Sequence, residues 1–214
     1  FLDGWNSYGV HPFWPFSSRW FYGDAIFIIE PVLWVSLSLP LFFTFKSQIF
    51  RGLLLAFISL VPIWAWSQNI LLGYSILGLG VLAATLFFIL RKIPQTKWRL
   101  VCGLIAALLF VEIQFTVSHA VKNQLISSFV ANSDQHRIID IVANPQPANP
   151  LCWNVIQLEI DGAQKIYRGT IKPFSVFPKI LPAESCPAFR SDEMSIDLPL
   201  SEFNMAIDQD CYFT

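Results

Sequence analysis

Apolar positions fall into four long runs up to residue 117, and the pattern then changes. The first run covers residues 25–45 with Glu30 as its only charge, the second about 52–66, the third 70–90 with no charge, and the fourth about 100–117 with Glu112 inside it. A bilayer core asks for roughly 20 consecutive apolar residues in a helix. The first and third runs meet that length and the fourth just does. The second is short unless Phe50 and the Ser67-Gln68-Asn69 turn join it, its other reading being a re-entrant or interfacial piece. The pattern predicts a polytopic α-helical membrane protein of about four transmembrane helices over residues 25–117. A motif-bearing segment, 1–24, precedes them, and a small β-rich C-terminal domain with an α+β pattern, 118–214, follows.

The basic residues between the runs orient the helices. Lys46 and Arg51 separate the first two runs, and Arg91, Lys92, Lys97 and Arg99 separate the last two. The turn at Ser67-Gln68-Asn69 has no cation, and the segment ahead of the first run has only Arg19. Lys and Arg concentrate in cytoplasmic loops. Residues 1–24 and everything after about Ser118 are therefore expected outside, an assignment that is consistent only with four crossings.

After Ser118 the chain turns polar and rich in proline. Residues 121–131 continue the fourth helix. Residues 137–143 read as a strand, since Ile138, Ile139, Ile141 and Val142 are β-branched. Residues 144–150, Asn-Pro-Gln-Pro-Ala-Asn-Pro, read as an extended, proline-fixed connector. Residues 153–160 and 165–171 flank Asp161-Gly162, a hairpin signal that places Ile156, Leu158 and Ile160 on one face. One further strand is expected after Pro173.

Composition agrees with the pattern. The chain is 54% hydrophobic and only 14% charged, against about 25% charged in soluble domains. Its net charge of −1 lacks the basic footprint of nucleic-acid binding. Residues 1–24 lack a basic stretch followed by an apolar run, so they are not a signal peptide. The chain begins at Phe1 and is read as a piece of a longer protein. Cys102 lies in the fourth run as a small apolar residue. Cys152, Cys186 and Cys211 lie in the domain expected outside, where one disulfide has three possible pairings. Their spacing contains no C-x-x-C unit and speaks against a zinc site made of them.

The richest chemistry precedes the first run. Leu2-Asp3-Gly4-Trp5-Asn6-Ser7-Tyr8-Gly9-Val10-His11 leads into Pro15-Phe16-Ser17-Ser18-Arg19-Trp20-Phe21, then Asp24, then Phe27-Ile28-Ile29-Glu30-Pro31. Asp3 and His11 are metal-ligand types, Asn6 a weaker one. Glu30 within an apolar run is a functional candidate by default, and Arg19 is suited to neutralise it or to hold an anionic group. Each has a plainer reading. Asp24 suits a helix cap, His11 a hydrogen-bonded surface histidine, and Trp14, Trp20, Phe21 and Tyr22 an interfacial aromatic belt. No G-x-S-x-G or phosphate-cradling glycine loop occurs. Gly73, Gly78 and Gly80 suit helix packing, and His119, His136 and Asp140 are a candidate second site whose unremarkable spacing favours solvated polar residues instead.

The N-terminal run resembles the YdjM-type family of bacterial inner-membrane-associated metal-dependent hydrolases, whose pattern reads approximately LDxxNTYG, PFSxRWF, D and FIxDP. The segment Asn144-Pro145-Gln146-Pro147-Ala148-Asn149-Pro150-Leu151-Cys152-Trp153-Asn154-Val155-Ile156 resembles the family's P-x-P-x-N-P-x-x-W-x-V-I, and the two motifs bracket the helices in the family's order. The resemblance implies a divalent metal, zinc by preference, with Asp3 as a ligand beside histidines upstream of Phe1. His11 matches no family position, and its place as a ligand rests on its chemistry. Asp24 matches a recurrent family acid, and Glu30 stands where the family more often has Asp. Asp24, Glu30 and Arg19 are the expected catalytic residues. The expected substrate is lipid-linked or amphiphilic, with membrane lipid as the surrounding partner and no nucleic acid. The alternative is a non-enzymatic anchor that presents an extracytoplasmic partner-binding domain. A transporter subunit is disfavoured because Glu30 and Glu112, the only acids in the runs, both fall toward outer helix ends.

Overall fold

The computed structural model describes Phe16 and residues 23–27, 29–130, 136–161, 166–186 and 194–199. The described elements are helices α1 (Pro31–Thr44), α2 (Gln48–Ser67), α3 (Gly73–Lys92) and α4 (Thr96–Val130), then strands β1 (His136–Gln146), β2 (Asn149–Asp161), β3 (Ile166–Ser175) and β4 (Met194–Pro199). Helices α2 and α3, and residues Thr96–Ser127 of α4, are long and apolar enough to cross a membrane. The chain divides into two compact units. One holds residues 27–114 and 146–150, the other residues 1–26, 115–145 and 151–214.

In the helical unit the first apolar run is not one long helix. Its helix begins only at Pro31 and has 14 residues, a length of about 21 Å at 1.5 Å per residue. Proline is pre-organised for the first helical position and lacks the N–H that would go unpaired there. The second run, conversely, is longer than its apolar stretch suggested, because polar Gln48 and Ser67 are its ends and α2 reaches 20 residues. The core forms around α1, where Val32, Val35 and Leu39 pack with Leu79, Leu86 and Leu90 of α3, and with Cys102, Ala106 and Phe110 of α4 at the margin. Trp34 of α1 packs on Phe57 of α2 with ring centroids 5.1 Å apart. The large apolar side chains of α2, α3 and α4 that face away from this core, such as Leu53, Leu60, Leu77, Phe88, Leu104 and Leu109, are exposed.

A helix leaves its terminal N–H and C=O groups unpaired, and in apolar surroundings each needs a partner. Both ends of the short α1 are met by side chains. At its start, Glu30 Oε1 accepts from Val32 N–H at 3.2 Å. At its end, Arg51 Nε donates to Phe45 O at 2.7 Å, and Arg99 Nη1 donates to Phe43 O at 3.4 Å. Arg99 also serves the end of α3, its Nε donating to Leu90 O at 3.2 Å and Ile93 O at 2.7 Å. Two cations near the starts of α2 and α4 thus close the C-termini of two helices, each lying over an aromatic ring of α1, Arg51 over Phe42 and Arg99 over Phe43.

The glycine that matters for packing is Gly103 rather than Gly78 or Gly80. A Cβ on Gly78 or Gly80 would have nothing within 4 Å, whereas one on Gly103 would collide with the Ser36 carbonyl and the Pro40 ring. Pro40 has no N–H for the Ser36 carbonyl, and that carbonyl lies against the bare Cα of Gly103. Gly103→Ala is expected to destabilise the helical unit by about 1–3 kcal/mol through overpacking. Gly52→Ala, in open space within α2, is expected to be neutral or stabilising by up to about 1 kcal/mol. Thermal midpoints of the two variants in the same detergent check the pair of expectations.

In the second unit the sheet order is β1-β2-β3-β4, with β2–β3 and β3–β4 antiparallel. The expected connector at 144–150 is instead a tight turn. β1 runs through Asn144 to Gln146, Pro147 and Ala148 turn the chain, and β2 starts at Asn149. Ala148 takes φ +54°, the left-handed conformation that a second turn residue adopts after proline, usually as glycine or asparagine. Asp161 pairs with Ile166, and residues 162–165, with the expected Asp-Gly turn, lie outside the described residues. Alternation puts Ile156, Leu158 and Ile160 on one face of β2, and the opposite face is the more buried. Trp153, Val155, Gln157 and Glu159 are buried, while Ile156, Leu158 and Ile160 are half-buried. Trp153 and Val155 form a core with Ile141, Ala143 and Val121 of α4. On the other face Cys152 is bonded to Cys186, which selects one of the three pairings. Both cysteines are buried, and the chain between them also pairs locally, Val176 N–H donating to Leu151 O at 3.0 Å.

Candidate functional site

Among the described candidate side chains, Asp24 is the best defined in the sheet-bearing unit. It takes φ +48°, a conformation that aspartate tolerates better than most residues. It does not cap the first helix, since that role falls to Glu30. Two residues of α4 hold it instead. Ser118 Oγ donates to the Asp24 backbone carbonyl at 2.6 Å, and Lys122 Nζ lies 2.5 Å from Asp24 Oδ2. Residues four apart share one face of a helix, so Ser118 and Lys122 grip the main chain and the side chain of one residue together. The Asp24 side chain is 3% exposed and that of Lys122 is 30% exposed. Oδ1 is buried and has no hydrogen-bond partner among the described residues. Burial pushes the Asp24 carboxyl above its usual range and the charge of Asp140 adds to this, against the opposing pull of Lys122 and of the Ala143 backbone N–H. The arrangement is a buried carboxyl with one oxygen held by an ammonium group and the other without a hydrogen-bond partner among the described residues, and burial favours its protonated form.

Lys122 was not singled out by its sequence. The available signal is a lone cation near the end of a long apolar helix, four residues after a serine. Its partner lies 98 residues earlier, a distance no local pattern spans.

Glu30, in the helical unit, does different work. Oε1 accepts from Val32 N–H at 3.2 Å and from Ala148 N–H at 3.0 Å. The same carboxyl thus starts α1 and holds the turn residue with the left-handed backbone. Asn149, next in that turn, donates from Nδ2 to the Tyr74 hydroxyl at 3.0 Å. The motif around Glu30 and the Pro147-Ala148-Asn149 segment, far apart in sequence, therefore meet. Glu30 stands ahead of α1 rather than within a spanning helix, and burial pushes its carboxyl up to about 8 despite both backbone donors. A folded state that holds a proton the unfolded chain has released loses stability as pH rises. The Glu30 contribution is fully present below its unfolded value of 4.5 and is lost as pH rises through about 8. Glu30→Gln keeps an acceptor for both N–H groups and cannot titrate. It is expected to flatten the dependence of the melting temperature on pH between those limits, with a cost at pH 7 under about 1 kcal/mol.

No known protein family, curated protein or solved structure matches the chain.

Asp3, His11 and Arg19 lie outside the described residues, as do Asn6, Trp14, Trp20, Phe21 and Tyr22. Asp24 and Glu30 belong to different units, and the described residues hold no group of three or more metal-donor side chains. His119 is exposed on α4. An ammonium at 2.5 Å on Asp24 Oδ2 suits a proton-handling carboxyl better than a metal ligand.

Proposed function

We propose that the chain is a membrane-associated, metal-dependent hydrolase of the bacterial inner membrane, acting on a lipid-linked or amphiphilic substrate from the extracytoplasmic face. The observation that carries the reading is the buried, half-open Asp24 carboxyl held by Lys122. It follows directly on a segment that supplies Asp3, His11 and Arg19. In this reading Asp3 and His11 contribute to a divalent-metal site, preferably zinc, which when bound would polarise the substrate and make water a nucleophile near pH 7. Asp24 relays the proton, with Lys122 fixing its orientation. Arg19 neutralises an anionic group of the substrate. Glu30 holds the Pro147–Ala148 turn and contributes through that support rather than by contact with substrate. Placement of the sheet-bearing unit outside the cytoplasm is supported by its disulfide, since such bonds persist in oxidising compartments, and by the cations between α1 and α2 and between α3 and α4.

The second reading, a non-enzymatic anchor presenting a partner-binding domain, draws support from the same residues. Glu30 is engaged by two backbone N–H groups and Asp24 by an ion pair, as structural corners require. Hydrolysis separates the two. Full-length protein in lipid vesicles, offered lipid-linked phosphate and acyl esters, is expected to release product in a manner abolished by chelator, restored by zinc and lost in Asp3→Ala. Equal turnover by wild type, chelated protein and Asp3→Ala, or no turnover of any ester, contradicts the hydrolase reading and leaves the anchor.

A further inference from the structure

One end of the helical unit carries an unbalanced positive charge. Residues 31–111 contain no acid and six cations, Lys46, Arg51, Arg91, Lys92, Lys97 and Arg99. The structure gathers all six at a single end. Arg99, at the start of α4, reaches carbonyls near the ends of both α1 and α3, and Arg51, at the start of α2, reaches the end of α1. The six then divide by role. Arg51 and Arg99 are half-buried and committed to helix-end carbonyls, whereas Lys46, Arg91, Lys92 and Lys97 are exposed. Neither α2 nor α4 places an acid in its first turn.

We propose that this end is a collar for the anionic phospholipid headgroups of the adjoining leaflet, with Lys46, Arg91, Lys92 and Lys97 as the residues that contact phosphate. Charge complementarity argues for the occupant, since each basic residue near a bilayer surface attracts anionic lipid by about 1 kcal/mol, or roughly fivefold. The neighbourhood argues for a lipid rather than free phosphate. Lys97 lies over the exposed Trp98 ring at 5.7 Å, and Phe45 and Phe50 stack with centroids 5.7 Å apart at the same end, both exposed. Cations beside aromatics at the rim of an apolar helix fit the headgroup layer, where aromatic side chains concentrate. The committed arginines give the collar its shape, and the four exposed cations give it affinity. The inference rests on the membrane-spanning reading of the helices and is independent of the hydrolase.

The test is a titration of the full-length protein in neutral detergent with short-chain phosphatidylglycerol or phosphatidylcholine, with bound lipid counted by native mass spectrometry at low salt. Phosphatidylglycerol is expected to bind at least about tenfold more tightly, with the preference shrinking as salt screens it. A variant combining Lys46→Gln, Arg91→Gln, Lys92→Gln and Lys97→Gln is expected to lose the preference and keep its phosphatidylcholine binding, and single Lys92→Gln to lose about fivefold. Excess inorganic phosphate is expected not to displace the lipid, and Asp3→Ala is expected to keep the preference in full. Equal binding of the two lipids, an unchanged preference in Lys92→Gln, or full displacement by inorganic phosphate overturns the collar.

Discussion

Lys122→Met is expected to destabilise the protein by about 2–4 kcal/mol. The substitution keeps the apolar stem that lies along α4 and removes only the ammonium. Asp24, 3% exposed, is then left buried without its ion-pair partner. Breaking a fully buried pair costs about 3–5 kcal/mol. The value here is lower because Lys122 is 30% exposed and solvent already screens its charge. The reciprocal change, Asp24→Asn, leaves an ammonium group that can turn to solvent and an amide oxygen that can still accept, so its cost is expected to be about 1–2 kcal/mol. The asymmetry is the informative part, as it follows from unequal burial and not from the pair distance. Denaturant or thermal unfolding of both single variants and of the double variant measures it. Equal costs for the two, or costs below about 0.5 kcal/mol, would mean that the carboxyl is wetter than the structure has it.

Cys152→Ser, or reduction of the bond to Cys186, is expected to remove about 4 kcal/mol from the stability of the sheet-bearing unit. The two cysteines are 34 residues apart. Closing a loop of that size in the unfolded chain accounts for about 4 kcal/mol at 25 °C on the chain-entropy estimate. Both sulfurs are buried, so the bond is also shielded from mild reductants until the unit opens. The double variant Cys152→Ser, Cys186→Ser is expected to behave as the single one does, because neither removes a second bond. A melting temperature unchanged by strong reductant under denaturing pretreatment would contradict the pairing. A loss of this size on reduction would support the proposed placement of the unit outside the cytoplasm, since such bonds persist in oxidising compartments.

The four helices were legible because each lies in an apolar run, and their order follows from the sequence, but three of them and not four are long and apolar enough to cross a membrane. Their limits were less so. The apolar residues ahead of Pro31 extend the first run without being helical, and the signals that mark the true start, Glu30 as cap and Pro31 at the first position, are local details inside a larger apolar block. Polar Gln48 and Ser67 hid the full length of α2 in the opposite way. In the sheet, β-branched residues announced β1, and alternation announced β2 and β3. Which face of β2 is buried was not legible, because Gln157 and Glu159 lie on it beside Trp153 and Val155, and buried polar residues blur a pattern that counts only hydrophobicity. The prolines at 145, 147 and 150 looked like a connector. They permit a turn at 147–148 because the strands they flank are short of ladder donors only where proline stands.

The site was legible as a set of residues and not as a geometry. Asp24 and Glu30 stood out as acids next to apolar sequence, but their roles depend on partners 98 and 118 residues away. Tertiary contacts of that reach leave no spacing to read. Gly103 was likewise invisible beside Gly78 and Gly80, since a glycine needed for close approach and one in open space look alike in a helix. The two arginines that close the ends of α1 and α3 were read as loop cations, whereas the structure places them near the starts of α2 and α4, and their hydrogen bonds to Phe43, Phe45, Leu90 and Ile93 could be found only in the fold.

The central claim is that the segment ahead of the helices supplies metal ligands to a hydrolase. Metal content measures it most directly. Full-length protein purified without chelator and analysed by inductively coupled plasma mass spectrometry is expected to carry bound divalent metal, preferably zinc, at a stoichiometric level. Asp3→Ala of equal folded content is expected to lose most of it, while Lys92→Gln keeps it. Wild-type protein free of divalent metal, or Asp3→Ala with wild-type metal content, would contradict the claim.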